Sequence, residues 1–329
     1  MRAATWDDDG RLKLTELPTP GPGSGDIVRP AVVGICGSDL HFFRGEFRAM
    51  PGTTPGHEIA GYREDGTAVA VEPTLSCGQC PSCRRGQAPT CRQLRLMGIS
   101  APGGLQEYVT VPAGNVHPLP AGISVDIGAL AEPLAVCVRA LNRAETPAGA
   151  RVLVLGSGTI GLLAAMLASG LADEVAVTAR YPHQAELATA MGASTVFEPG
   201  SPQVLDWARG NPVDLVIETV GGPADTLAEA IQAVRPGGTV VPLGVFTTDV
   251  LVPARKLVNQ EVRVIGSVVY GHEGHQSEFA AAVGLLPRFV DRLTLLKSAT
   301  YPLERANDAF EHALDKSRRA VKVSVSVGP

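Results

Sequence analysis

Positive charge is scarce in this chain. Its 329 residues hold 28 Lys and Arg against 33 Asp and Glu, for a formal net charge of −5 and a pI near 5.8. No basic face is left to neutralise phosphates, so nucleic-acid binding is not expected. An apolar leader is also missing: the opening Met1-Arg-Ala-Ala-Thr-Trp-Asp-Asp-Asp9 cannot act as a secretory signal. Nor is there an uninterrupted hydrophobic run of membrane length. The nearest approach, residues 152–172, is broken by three glycines near its start and by Gly170, and reads as strand, turn and buried helix. No internal repeat, low-complexity tract or run of like charge occurs, so neither a repeat array nor a solvating tail is expected. Of six cysteines, only Cys36 and Cys137 stand apart from a tight cluster, a usage that suggests reduced thiols and a cytoplasmic protein.

What the chain does contain is turn formers, 37 Gly and 26 Pro in a composition that is 45% apolar. That balance favours many short elements over a helical bundle, and the length makes two domains the default. The first third alternates short apolar runs with Pro and Gly, as at residues 27–33, 67–71 and 107–111, which predicts a β-rich, barrel-like domain. From about Ala150 strands and helices alternate. Residues 151–155, 174–178, 194–197, 213–217, 239–243 and 262–265 read as buried strands. Residues 184–191 and 224–234 read as helices between them, the second capped by Pro236-Gly237-Gly238. The alternation predicts an α/β fold with a doubly wound parallel sheet. After Gly266 one amphipathic helix at 303–314 is expected, then a period-two strand at 321–327 that must pair with the β-rich domain.

Cys77, Cys80, Cys83 and Cys91 are spaced C-x2-C-x2-C-x7-C on a segment broken by Gly78, Pro81 and Gly86. Four thiolates that close together can converge tetrahedrally on one Zn²⁺ with no help from a distant element. A site of four cysteines is closed and therefore structural. An independent zinc ribbon that touches nucleic acid is the competing reading, and two adjacent arginines, Arg84 and Arg85, are too little charge for it.

Gly156-Ser-Gly-Thr-Ile-Gly161 follows an apolar strand directly and opens a helix, the setting that turns a G-x-G-x-x-G string into a dinucleotide loop. Gly156 permits the tight turn, Gly158 lets the backbone approach a pyrophosphate, and Gly161 allows close helix–strand packing. The phosphates then rest on the helix N-terminus, at Thr159 and Ile160. An NAD site wants a carboxylate at the end of the next strand, and here Thr178-Ala179-Arg180 stands instead. With Arg180, and His183 beyond it, able to meet a 2′-phosphate, NADP(H) is favoured and NAD(H) remains the alternative.

Cys36 and His57 offer two further metal ligands, with Glu58 beside the histidine and Glu132 just before the second domain. At this point the sequence resembles the zinc-dependent medium-chain dehydrogenase/reductase superfamily, in its alcohol, polyol and threonine dehydrogenase branch. The resemblance spans essentially the whole chain. It rests on Gly34-Ile-Cys-Gly-Ser-Asp-Leu-His41, Gly56-His-Glu58, the four-cysteine lobe, Ala131-Glu-Pro-Leu134, the glycine loop and Val321-Lys-Val323. It implies a GroES-like catalytic domain at 1–126 and 268–329, with a zinc lobe at about 75–95, and a Rossmann domain at 127–267. Cys36 and His57 match ligands of a catalytic zinc, and Glu58 and Glu132 match carboxylates that bind the metal or its water. Ser38 and His41 match a proton relay, and Asp39 a group that orients the ligand histidine. Val220, Leu243, Val245 and Ser267 match positions that hold the nicotinamide, and Lys322 is expected to face the pyrophosphate. The resemblance also implies a homo-oligomer, dimer or tetramer, formed through the nucleotide-domain sheet.

The implied chemistry is transfer of a hydride between NADP(H) or NAD(H) and a secondary alcohol, polyol or amino-alcohol, with zinc lowering the pKa of the alcohol. Two alternatives stay open: a nucleotide-binding relative without catalysis, and a reductase of an activated C=C or C=N bond. Phe42, Phe47, Leu105 and residues 270–275 are the candidates for lining a substrate pocket. His272 and His275 are expected at the surface.

Overall fold

The structure, a computed structural model, describes every residue except Pro22, Ser24, Gly274, His275 and Pro329. The chain forms two compact units, Met1–Ala135 with Gly271–Pro329, and Val136–Tyr270. His275 lies outside the described residues, and His272 is exposed.

The first unit is built on a seven-stranded sheet. Its central strand, Asp26–Gly34, pairs antiparallel with Glu58–Arg63 on one side and with the C-terminal strand Lys322–Ser326 on the other. Ala68–Val71 and Val116–Pro118 extend the sheet beyond Glu58–Arg63, Lys297–Pro302 extends it beyond the C-terminal strand, and Val109–Val111 pairs with the first residues of Asp26–Gly34. Alternate side chains point inward, and a register shift between Pro30 and Val32 resets the alternation, so Val28, Val33, Ile59, Val69 and Val325 share one apolar cluster with Trp6 and Phe310. Burying each such side chain contributes roughly 1.5–3 kcal/mol. The terminal strand joins the β-rich unit as expected, with Ser324 opposite Gly34 and Val325 opposite Val33.

The second unit holds six parallel strands in the order Thr195–Phe197, Glu174–Thr178, Arg151–Leu155, Val213–Glu218, Val234–Pro242, Arg263–Val264. Helices cover this doubly wound sheet, which is why its strands read as unbroken apolar runs such as Val152-Leu-Val-Leu155. The strand order reverses between Arg151–Leu155 and Val213–Glu218, and a ligand crevice lies at the carboxyl ends of strands at such a point.

Two sequence expectations about elements fail. Pro236-Gly237-Gly238 does not cap a helix: the helix Thr226–Ala233 stops at Val234, whose extended backbone enters the strand Val234–Pro242 directly. The Pro-Gly-Gly segment is a bulge inside that strand, where the register shifts between Val213 and Leu215 and Gly237 takes φ +70°. Residues after Gly266 hold more than one helix. Glu278–Leu296 forms a 19-residue helix, capped by the Ser277 hydroxyl, which accepts the Ala280 N–H at 3.2 Å. Gly284 and Pro287 in its interior read as breakers, but Phe279, Ala282, Val283 and Leu286 bury one stripe, and that packing overrides local preference.

Candidate functional site

Three adjacent strands deliver the first site to one end of the sheet. Gly34 ends its strand opposite Glu58, the C-terminal strand runs alongside, and Cys36 caps the short helix Gly37–Phe43 that follows. Ligand atoms of Cys36, His57 and Glu58 lie within 4.8 Å of one another. Asp39 accepts the backbone N–H of Cys36 at 3.0 Å, fixing the turn that presents the thiol. Its other oxygen stands 3.5 Å from His57 Nδ1, near enough for charge attraction and too long for a hydrogen bond. With Nδ1 turned to Asp39, Nε2 is the nitrogen free to bind a metal, and it lies 3.5 Å from the Ser38 hydroxyl. Burial works against a charged His57, yet the negative charge of Asp39 and of Cys36 outweighs it and holds the imidazole pKa well above its ordinary value. A soft sulfur, an imidazole and a carboxylate gathered around one point is a donor set that fits zinc.

Glu58 has a second partner that the sequence did not disclose. Lys322 Nζ donates to its two oxygens at 2.7 and 2.6 Å and to the Ile35 carbonyl at 3.0 Å, with lysine and glutamate both buried. Burial opposes the ammonium, and Glu58, Cys36 and Glu132 reverse that and raise its pKa. Lys322 therefore does not stand out toward a pyrophosphate; it is enclosed in the core against Glu58. The carboxylate lies over Gly34, where an added Cβ would come within 2.0 Å of Oε2, so only glycine fits there. Glu132 sits buried in the first turn of the helix Ala131–Ala144. It is not one of the three residues whose ligand atoms converge.

His41 occupies the last turn of the helix Gly37–Phe43, one turn beyond Ser38. Its Nδ1 meets the carboxylate of Glu46, which Arg44 also engages at 2.6 Å. Glu46 carries no motif signature and was missed; a carboxylate just past the helix end was the available signal.

The four cysteines converge as their spacing predicts. Sulfur pairs Cys80–Cys83 and Cys77–Cys91 are 3.5 Å apart and Cys77–Cys83 3.9 Å, with no disulfide. Four sulfurs about 2.3 Å from one tetrahedral ion are about 3.8 Å from each other, so the cage fits zinc. Gly78 and Gly86, at φ +69° and +73°, turn the chain between ligands, and Thr74–Leu75 pairs with Arg95–Leu96 to close the base. The Cys80 N–H donates to Cys77 sulfur and the Gln93 N–H to Cys91 sulfur, both at 3.3 Å. Backbone donation at Cys83 brings the Cys80 thiol down to about 6, while burial and the neighbouring sulfurs push Cys83 up to about 11.

In the second unit, Gly156 turns at φ +102° where Arg151–Leu155 ends, and Gly158 caps the helix Thr159–Ala168. A Cβ on Gly161 would meet the Gly156 carbonyl at 2.1 Å, which is the close approach the motif requires. Among the described residues nothing lies within 4 Å above Gly158, leaving room for a ligand beside the helix start at Thr159 and Ile160. Arg180 is exposed past the end of Glu174–Thr178, whereas His183 is buried and stacks on Tyr181. Glu218 was also missed. Fully buried, it accepts the N–H groups of Val220 (2.7 Å) and Gly221 (2.9 Å) and the Thr226 hydroxyl (2.7 Å). Its own carbonyl takes the Leu243 N–H at 2.7 Å, so one residue ties down the loops that carry Val220 and Leu243–Val245. Val220 and Val245 are exposed, and the Ser267 hydroxyl is buried with no partner among the described residues.

The chain matches the family described as zinc-binding dehydrogenase over residues 159–288 and the alcohol dehydrogenase GroES-like domain over residues 24–121. Galactitol 1-phosphate 5-dehydrogenase of Escherichia coli strain K12 is 32% identical over 290 residues, 81% of this chain and 83% of that protein. Among solved structures, a zinc-binding dehydrogenase of Sinorhizobium meliloti 1021 bound to NADP is similar with a TM-score of 0.89 at 31% identity, over 99% of this chain and 98% of that one. An alcohol dehydrogenase of Escherichia coli CFT073 complexed with NADH gives a TM-score of 0.90 at 26% identity, over 99% of each chain. No helix among the described residues is long and apolar enough to cross a membrane. With a GroES-like domain, a Rossmann sheet and these relatives in agreement, the chain belongs to the zinc-dependent medium-chain dehydrogenase/reductase superfamily.

Proposed function

We propose that this zinc-dependent dehydrogenase exchanges a hydride between NADP(H) and a polyol-type secondary alcohol, with one zinc in catalysis and one in structure. The observation that carries the reading is the convergence of Cys36, His57 and Glu58 with Ser38 placed against the histidine. Bound zinc would lower the pKa of an alcohol hydroxyl and polarise the matching carbonyl. Cys36 and His57 would hold that ion, with Glu58 or Glu132 as the third ligand. Asp39 keeps His57 turned so that Nε2 is its metal-facing atom. Ser38 takes the proton that the alcohol loses and passes it to His41, one helical turn further on. The four cysteines keep their lobe folded and take no part in turnover.

The glycine loop and the amides at Thr159 and Ile160 receive the pyrophosphate, and Val220, Leu243, Val245 and Ser267 flank the nicotinamide. Exposed Arg180, with no carboxylate at the strand end, supports NADP(H) through a charge-assisted contact to a 2′-phosphate. NAD(H) is the second reading, favoured by the relative that carries NADH. No cysteine is joined in a disulfide, which suits a reducing compartment, the cytoplasm. Leu251, Val258 and Val264 are exposed, the last of them on the edge strand Arg263–Val264 of the parallel sheet, which supports a homo-oligomer formed through that edge.

The test is a panel of secondary alcohols and polyols assayed with NADP⁺ and NAD⁺, together with zinc content per chain. Two equivalents and turnover with NADP⁺ are expected. Wild type that holds only one equivalent, with the same content in Cys36→Ala, would refute the catalytic site, and a tenfold preference for NAD⁺, about 1.4 kcal/mol, would refute the role of Arg180.

A further inference from the structure

The helix Gly37–Phe43 ends at Arg44, and the chain then folds back on itself. Gly45 turns at φ +73°, and the backbone N–H groups of Glu46 and Phe47 donate to the His41 carbonyl at 3.0 and 3.3 Å. The Phe47 ring closes over the imidazole with its centroid 5.3 Å away. This hook brings the Glu46 carboxylate onto His41 Nδ1. Arg44 donates to both Glu46 oxygens, at 2.6 and 3.2 Å. Arg44 also lies 3.2 Å from Nδ1, but two donors cannot share that contact with the carboxylate in place, so the proton belongs on Nδ1 and points at Glu46. The His41 bond, with Arg44 behind it, keeps the Glu46 carboxyl below its ordinary range, and the group is therefore an anion wherever the protein is folded near neutral pH.

We propose that Glu46 is a positioning residue of the proton path: it holds His41 as the Nδ1–H tautomer and leaves Nε2 as the nitrogen that accepts the proton from Ser38. The inference rests on the relay read above. Its balance is simple. Ser38 releases its hydroxyl proton as it takes the proton of the alcohol, an intervening water carries that proton to Nε2, and His41 becomes an imidazolium with a proton on each nitrogen. The Glu46 carboxylate stabilises that positive charge until Nε2 releases its proton to water. Return of the bare Nε2 lone pair completes the cycle, and no oxidant or further reactant is involved. The arrangement uses the same logic as any imidazole aligned by a carboxylate: one nitrogen is fixed so that the other reacts. Because helix, turn and hook all lie between Gly37 and Phe47, the device is local to the residues beside the metal site.

The experiment compares wild type with Glu46→Ala and Glu46→Gln by ¹⁵N NMR of the histidine ring, with His41 assigned from a His41→Gln sample. The same proteins are then assayed for alcohol oxidation in H₂O and D₂O. Wild type should show the Nδ1–H signature, Glu46→Ala should lose it, and Glu46→Gln, which keeps an acceptor for Nδ1–H, should retain it. In Glu46→Ala kcat should fall about 10- to 100-fold with a larger solvent isotope effect and KM within about twofold, and Glu46→Gln should recover part of the rate. An unchanged ring signature in Glu46→Ala overturns the proposal, as does a changed signature with kcat and isotope effect both unaltered. Should wild type oxidise no alcohol, the proposed function fails separately, and the ring signature alone decides whether Glu46 sets the tautomer.

Discussion

Lys322 and Glu58 are locked together beside Cys36 and His57: the lysine ammonium contacts both carboxylate oxygens at 2.7 and 2.6 Å, and both side chains are buried. Removing one member strands the other charge in the core, and a broken buried pair typically costs about 3–5 kcal/mol. Lys322→Met should lower stability by that amount in urea unfolding, whereas Lys322→Arg should keep most of it. A loss under about 1 kcal/mol for the methionine variant would show that the pair does not hold this end of the sheet together.

The two cysteine-bearing sites should separate experimentally. Cys91→Ser should cost one equivalent of zinc and raise protease cleavage between residues 77 and 91 by about tenfold or more, as the lobe opens locally. Cys91→Ser molecules that stay folded and keep the other equivalent should still turn over. Cys36→Ala should cost the other equivalent and all turnover, with the lobe still resistant. Loss of both ions from either variant would contradict the division.

Arg180→Ala addresses cofactor choice. A charge-assisted contact with phosphate is worth about 1.5–3 kcal/mol, so KM for NADP⁺ should rise about 10- to 100-fold while KM for NAD⁺ moves less than about threefold. An equal rise for the two cofactors would assign Arg180 to the adenine instead.

Asp214 gives a pH-dependent prediction away from any metal. Burial would raise its pKa, but the Arg151 N–H (2.9 Å) and Arg235 Nε (2.6 Å) outweigh burial and hold it below the ordinary 3.8. A depressed carboxylate contributes its stability above the unfolded pKa and loses it as pH falls through the folded one. Asp214→Asn should therefore destabilise the second unit by roughly 1 kcal/mol at neutral pH, an effect that fades below about pH 4 in thermal unfolding. A penalty that persists unchanged at pH 2 would place the effect in packing and not in charge.

The glycine loop was legible because its needs are local. A strand, a positive-φ glycine, a helix start and a glycine under a carbonyl all fall within a dozen residues, and each leaves a residue type behind. The helix Glu278–Leu296 was not legible, because Gly284 and Pro287 argue against it at the level of propensity and only the buried stripe through Phe279 and Leu286 argues for it. The Pro-Gly-Gly bulge misled in the opposite direction. Those residues stop a helix in general, and here the parallel partner strand Val213–Glu218 recruits them into a sheet.

Sequence alone determined the four-cysteine lobe and the parallel sheet, and it singled out Cys36 and His57 as candidate ligands. The lobe is decided by four thiols and two glycines inside one short segment, whose geometry closes without reference to the rest of the chain. Tertiary structure decided what Lys322 does. Its partner lies 264 residues away in sequence, and the meeting depends on two strands flanking Asp26–Gly34 in a register that no local pattern encodes. It also decided that Glu46 faces His41 and that Glu218 fastens two loops, since a carboxylate acquires a role from the donors the fold sets around it.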